Sequence, residues 1–116
     1  MSFKHWQYTF TNGMSLAEQQ DSYHKSVIPE SRNLMRDGLR SISKIDFRKA
    51  HVPLLFVSGE KDHIMPASLN YSNYKAYKNN NSITAYKEFN GRNHYAMNQT
   101  TWKEDATYIL QWLETI

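Results

Sequence analysis

One short stretch limits what this chain can fold into more than any other. Leu54-Leu55-Phe56-Val57 is an apolar run too brief for a helix, bulky enough for a buried strand, and bounded by Pro53 and Gly59. An acid, Asp62, follows the glycine, and Pro66 suits the first turn of a new helix reaching to about Lys78. Asn79-Asn80-Asn81 then reads as a turn, and Ser82–Phe89 alternates as a second strand does. Strand, helix of about a dozen residues and strand make a βαβ unit, in which the strands run parallel with a right-handed crossover. The fold class expected is therefore α/β. A carboxylate just past the carboxyl end of a buried strand lies where open α/β sheets keep their working residues.

Around this unit the expectations are helical. Ser15-Leu16-Ala17-Glu18 matches a capping box, and a helix from about Leu16 to Lys25 follows it. Val27-Ile28-Pro29 interrupts that helix, and a second from about Glu30 to Arg40 would carry Leu34, Met35 and Leu39 on one side. Leu69, Tyr74 and Tyr77 are the expected buried positions of the helix after Pro66. Thr101-Trp102-Lys103-Glu104 matches a second capping box. It opens a terminal helix whose Trp102, Ala106, Ile109, Leu110 and Leu113 form one stripe expected to be buried. The first fourteen residues are aromatic and irregular. Tyr8 and Phe10 alternate with polar neighbours as in an extended segment, before a turn at Asn12-Gly13. Composition shifts near residue 52, dividing the chain into a helical cap or lid segment, 1–52, and a βαβα core segment, 53–116.

Bulk properties remove several classes of function. With 116 residues, 40% apolar and a mean hydropathy of −0.75, the chain is one small domain or part of one, with a thin core helped by sixteen aromatic residues. The net charge is +3, but the fourteen Lys and Arg are scattered, which is a solvated surface and not a nucleic-acid footprint. No apolar run approaches the ~18–20 residues of a membrane span. The N-terminus lacks the apolar core of a signal peptide, so a cytoplasmic location is expected. The absence of cysteine excludes disulfides, thiolate metal sites and a cysteine nucleophile. No cofactor or metal is expected: His51, Asp62 and His63 lie near one another without a known ligand spacing. His63 reads as loop surface, His5 and His24 have no partner in sequence, and the Tyr71, Tyr74, Tyr77 series has helical packing spacing.

The two parallel strands end in loops carrying Asp62 and His94. A carboxylate beside an imidazole is the orienting half of a nucleophilic triad: the acid fixes the tautomer, and the imidazole takes the nucleophile's proton. Spacing alone favours the plainer alternative, a turn-forming Asp and a surface His.

The residues around them carry more. Pro53 through Pro66, then Phe89-Asn90-Gly91-Arg92-Asn93-His94 and a terminal helix with Trp102 and Trp112-Leu113, closely resemble the C-terminal part of α/β-hydrolases. The resemblance implies that Asp62 is the triad acid, in a G-x-x-D-x-(I/V)-x-P loop, and His94 the triad histidine. Tyr8–Asn12 and Val27-Ile28-Pro29-Glu30-Ser31 look like the cap of a subgroup of the family, in which Ser31 would face the cleft; the alternative for Ser31 is a plain helix-surface serine. The departure is the nucleophile. Its G-x-S-x-G elbow needs glycines four apart, and Gly13, Gly38, Gly59 and Gly91 contain no such pair. The family's order would put the nucleophile upstream of Met1.

The function expected is thus the C-terminal fragment of an esterase- or lipase-like hydrolase, inactive alone, that acts on a small-molecule substrate when completed. The alternative is a non-catalytic binding or interaction module derived from such an enzyme. A two-stranded parallel sheet leaves edges to satisfy. The partners expected are the missing N-terminal half, or a homo-oligomer formed through the exposed sheet edge or by exchange of cap elements.

Overall fold

The computed structural model describes residues 1–29, 33, 36, 38, 44–77 and 81–116. Its described elements are α1 (Phe3–Thr9), α2 (Leu16–Ser26), β1 (Leu54–Gly59), α3 (Ala67–Tyr77), β2 (Thr84–Phe89), a 3-10 turn (Ala96–Asn98) and α4 (Trp102–Leu113). The chain is a mixed α/β unit with a two-stranded parallel sheet. Leu34, Met35, Leu39, Ser31, Asn79 and Asn80, with the expectations attached to them, lie outside the described residues.

The pairing runs in register from Leu54 opposite Thr84 to Gly59 opposite Phe89. Leu54 N–H donates to Ile83 O and Glu60 N–H to Phe89 O, both at 3.0 Å. Backbone groups alternate between the two sides of a strand, so Leu55 and Val57 aim theirs away from β2. Among the described residues no strand pairs with that edge. Helix α3 covers one sheet face: its Tyr71 and Tyr74 rings meet Tyr86, and Tyr77 meets Phe56. The other face meets α4 where Phe89 packs edge-on against Tyr108, with ring centroids 5.6 Å apart.

The N-terminal segment corrects the sequence expectation. Residues 3–9 are helical, not extended. Ser2 caps them by accepting from His5 N–H, and Phe3, Trp6 and Phe10 fall at helical spacing, which outweighs the short alternation at Tyr8 and Phe10. Trp6 stacks on Phe10 at 4.4 Å and meets Tyr23 and Tyr95 edge-on, so the terminal aromatics cover one another and α2. The capping box of α2 forms in full: Glu18 N–H reaches the Ser15 hydroxyl while Ser15 N–H reaches the Glu18 carboxylate. Trp6 Nε1–H donates to Ser22 Oγ at 3.0 Å, which satisfies the indole as it is buried.

The second capping box does not form. Thr101 precedes α4 as expected, but its hydroxyl makes no capping bond and is buried without a partner. Glu104 has another partner: Arg92 Nη2, 2.6 Å away, holds its carboxylate. The stripe on α4 is also corrected. Trp102, Leu110 and Leu113 are exposed, and the residue of α4 that is buried is Asp105. Leu69 of α3 is exposed as well, and Leu54–Val57 are only half-buried. Among the described residues, the buried apolar side chains are Trp6 and Phe89.

The global dimensions agree. The radius of gyration is 16.3 Å, where a compact chain of this length has about 13 Å. The accessible surface is 8654 Å², against about 6,600 Å² for a compact monomer of this mass. No helix among the described residues is long and apolar enough to cross a membrane.

Candidate active site

The site lies where two loops leave the carboxyl ends of the parallel strands. Gly59 lets them approach: a Cβ there would stand 2.5 Å from the Arg92 carbonyl oxygen. With the glycine, Lys61 N–H donates to that same oxygen at 2.8 Å. Across the turn, Glu60 accepts from Gly91 N–H at 2.8 Å, and Gly91 has φ of +72°, the left-handed region open to glycine.

This seam brings Asp62 and His94 together. Asp62 Oδ2 lies 2.9 Å and Oδ1 3.1 Å from His94 Nδ1. Asp62 Oδ1 also accepts from Ile64 N–H and Met65 N–H, each at 2.8 Å, so the acid's own loop fixes its orientation. The Asp62 side chain is 9% exposed and that of His94 29%. Facing a carboxylate, neutral His94 carries its proton on Nδ1, which leaves Nε2 as the acceptor. Nε2 has no hydrogen-bond partner among the described residues. Phe10 packs edge-on against the ring, 4.9 Å away.

Beside the pair is a cavity of about 330 Å³ lined by Val57, Met65, Asn70, Ala96 and Met97 together with the pair itself. Its described lining contains no hydroxyl and no thiol. The described walls are largely apolar and include no Lys or Arg.

Several residues that position the pair were not legible beforehand. Asn93, 1% exposed, spends its backbone N–H and both side-chain polar atoms on the seam. Its N–H donates to Gln99 Oε1, its Nδ2 to Asn12 O at 2.9 Å, and its Oδ1 accepts from Tyr95 N–H. Asn12 in turn donates from Nδ2 to Lys61 O at 2.9 Å. The α1–α2 turn, with Gly13 at φ of +82°, is thereby tied to both loops. Asn12-Gly13 read as a turn from composition; its binding to loops some fifty and eighty residues away had no local signal.

Arg92 fixes the histidine loop from the other side. Its guanidinium meets buried Asp105 at 2.9 Å, Glu104 at 2.6 Å and the Asn90 carbonyl. The bond to Asp105 is the main reason its pKa is held above the ordinary arginine value, although burial opposes the shift.

The remaining histidines stand apart from the pair. His63 Nδ1 lies 2.7 Å from Tyr8 O, and its ring lies along Tyr8, which ties the acid loop to α1. His51 Nδ1 lies 2.6 Å from Val52 O, and its ring meets Tyr77 edge-on. Among the described residues no group of three or more His, Asp or Glu side chains gathers as a metal site.

Comparison of the chain with protein-family models, with curated proteins and with solved structures finds no match.

Proposed function

We propose that residues 1–116 are the acid–base part of a hydrolase of the α/β-hydrolase type, whose nucleophile is supplied by a segment outside them. On this proposal 1–52 is the cap segment, 53–116 is the C-terminal part of the core, and the site takes a small ester or amide. The observation that carries the proposal is the Asp62–His94 contact at 2.9 Å, with Nε2 unengaged by any described residue beside a largely apolar cavity. His94 Nε2 takes the proton of an incoming hydroxyl as that oxygen bonds to the substrate carbonyl carbon. Asp62 steadies the imidazolium, which returns the proton to the leaving alkoxide or amine as the carbonyl–heteroatom bond breaks. Water then repeats the sequence to release the acid.

With no hydroxyl or thiol in the described lining, the base has nothing to activate but water. The chain alone is therefore expected to hydrolyse an unactivated ester such as ethyl butyrate, which a lone imidazole does not cleave, no faster than its His94→Ala variant. Turnover by the chain alone that His94→Ala abolishes would refute the missing nucleophile. Adding a polypeptide that carries a strand, a G-x-S-x-G elbow and a helix should create turnover that both Asp62→Asn and His94→Ala remove. A non-catalytic interaction role is the second reading, favoured by the exposed apolar side of α4. It expects no turnover in either experiment.

A further inference from the structure

The outward side of α4 takes no part in the Asp62–His94 site. The helix meets the rest of the chain through Asp105, on Arg92, and Tyr108, on Phe89. About a third of a turn around the axis, Trp102, Ile109, Leu110 and Leu113 make an apolar strip. Leu110 is 62% exposed, Leu113 49% and Trp102 45%. At 3.6 residues per turn, Lys103 and Glu114 fall three turns apart on a single flank of this strip. Both are exposed, and neither has an ion-pair partner among the described residues.

We propose that this face binds a second copy of the chain, α4 packing antiparallel on α4 about a two-fold axis near the helix centre. Three observations favour a second copy. The strip is self-complementary in length: an antiparallel pairing sets Trp102 opposite Leu113 of the partner subunit and brings Leu110 close to the axis. In such a pairing each flank meets the same flank of the other helix, so Lys103 faces Glu114 of the partner subunit, twice by symmetry. The opposed helix dipoles add to the attraction.

Surface area makes the same case. A stable pair takes roughly 800 Å² from each subunit. This chain exposes about 2,000 Å² more than a compact monomer of its mass, and among the described residues the strip is a regular apolar part of that surface. Because α4 lies against the end of β2, the free edge of β1 stays open in the dimer. The inference is independent of the proposed hydrolase role.

Sedimentation equilibrium and light scattering over a concentration series test it on the purified chain. The molar mass should rise from 13.7 kDa toward twice that value. Leu110→Glu, which sets two like charges beside the axis, should hold the chain at the monomer mass with an unchanged circular dichroism spectrum. Lys103→Glu and Glu114→Lys should each weaken the dimer by about tenfold. The two changes combined in one chain should restore the affinity, because each flank pair is then simply exchanged. A monomer at every concentration overturns the proposal. So does a dimer that survives Leu110→Glu, or a charge exchange that fails to rescue.

Discussion

The seam between the two loops and the outer surface of the sheet and α4 reverse the usual arrangement. At the seam the fully buried side chains are polar: Thr11, Asn93 and Asp105. On the outer surface Val52, Ile83 and Leu110 are apolar and exposed. Thr11, Asn93 and Asp105 are buried with specific partners, on Trp6, on Asn12 and Tyr95, and on Arg92, which fixes geometry. The outer surface supplies little of the hydrophobic burial that normally dominates folding free energy. The chain thus sets its Asp62–His94 pair with its own hydrogen bonds, while its stability draws on a small core.

Substitutions can break this contrast, and the largest effect belongs to the seam. Asp105→Ala leaves the largely buried Arg92 with Glu104 as its remaining carboxylate, which is itself mostly exposed. Urea unfolding should register a loss of about 3 kcal/mol, in the range for breaking a buried ion pair. A loss below ~1 kcal/mol would mean that Glu104 suffices and the buried carboxylate is dispensable.

Gly59→Ala comes next. The added methyl meets backbone, the Arg92 carbonyl, and not a side chain that could swing away. The cost should be about 1–3 kcal/mol, and the chemical shifts of both Asp62 and His94 should move, since the two loops must part. An unchanged Asp62–His94 contact would show that the loops approach for some other reason.

A smaller effect depends on pH. Tyr86 bonds the Ser58 hydroxyl at 2.7 Å and the Glu88 carboxylate at 3.0 Å. Burial first, and Glu88 in addition, raise its pKa above the ordinary 10.0, although the Ser58 bond opposes them. A phenol raised on folding contributes stability that is whole below its unfolded value and lost as pH climbs through the folded one. The native chain should lose stability above about pH 10, and Tyr86→Phe should flatten that decline. Equal slopes in the two proteins would remove Tyr86 as the cause.

The smallest effect belongs to the outer surface. Val52 is 75% exposed, and Val52→Ser should change stability by no more than about 0.5 kcal/mol. A loss above ~1 kcal/mol would mean that Val52 is covered in solution, and would erase the contrast at that position.

What could be read from the sequence follows the range of the interactions. The βαβ unit was legible because apolar run, proline, turn and alternation are local signals, and the observed strands differ from the expected ones by a residue or two at their ends. The α2 capping box was legible for the same reason. The box at Thr101 looked identical, but Arg92, a neighbour in space and not in sequence, claimed its glutamate. The stripe on α4 has correct periodicity, and periodicity identifies an apolar face without saying that anything covers it. At the seam, Asp62 and His94 were picked out by their loops. Asn12, Asn93 and the Arg92–Asp105 clamp were not, since their partners lie far along the chain.

The proposed chemistry depends on this chain by itself holding His94 as an oriented base. A ¹⁵N–¹H NMR spectrum of the His94 ring at a pH where it is neutral tests this most directly, read for the native chain and for Asp62→Asn. The native chain should show a proton fixed on Nδ1 and an unprotonated Nε2, with that preference lost in the variant. A native ring protonated on Nε2, or a tautomer mixture that Asp62→Asn leaves unchanged, would contradict it.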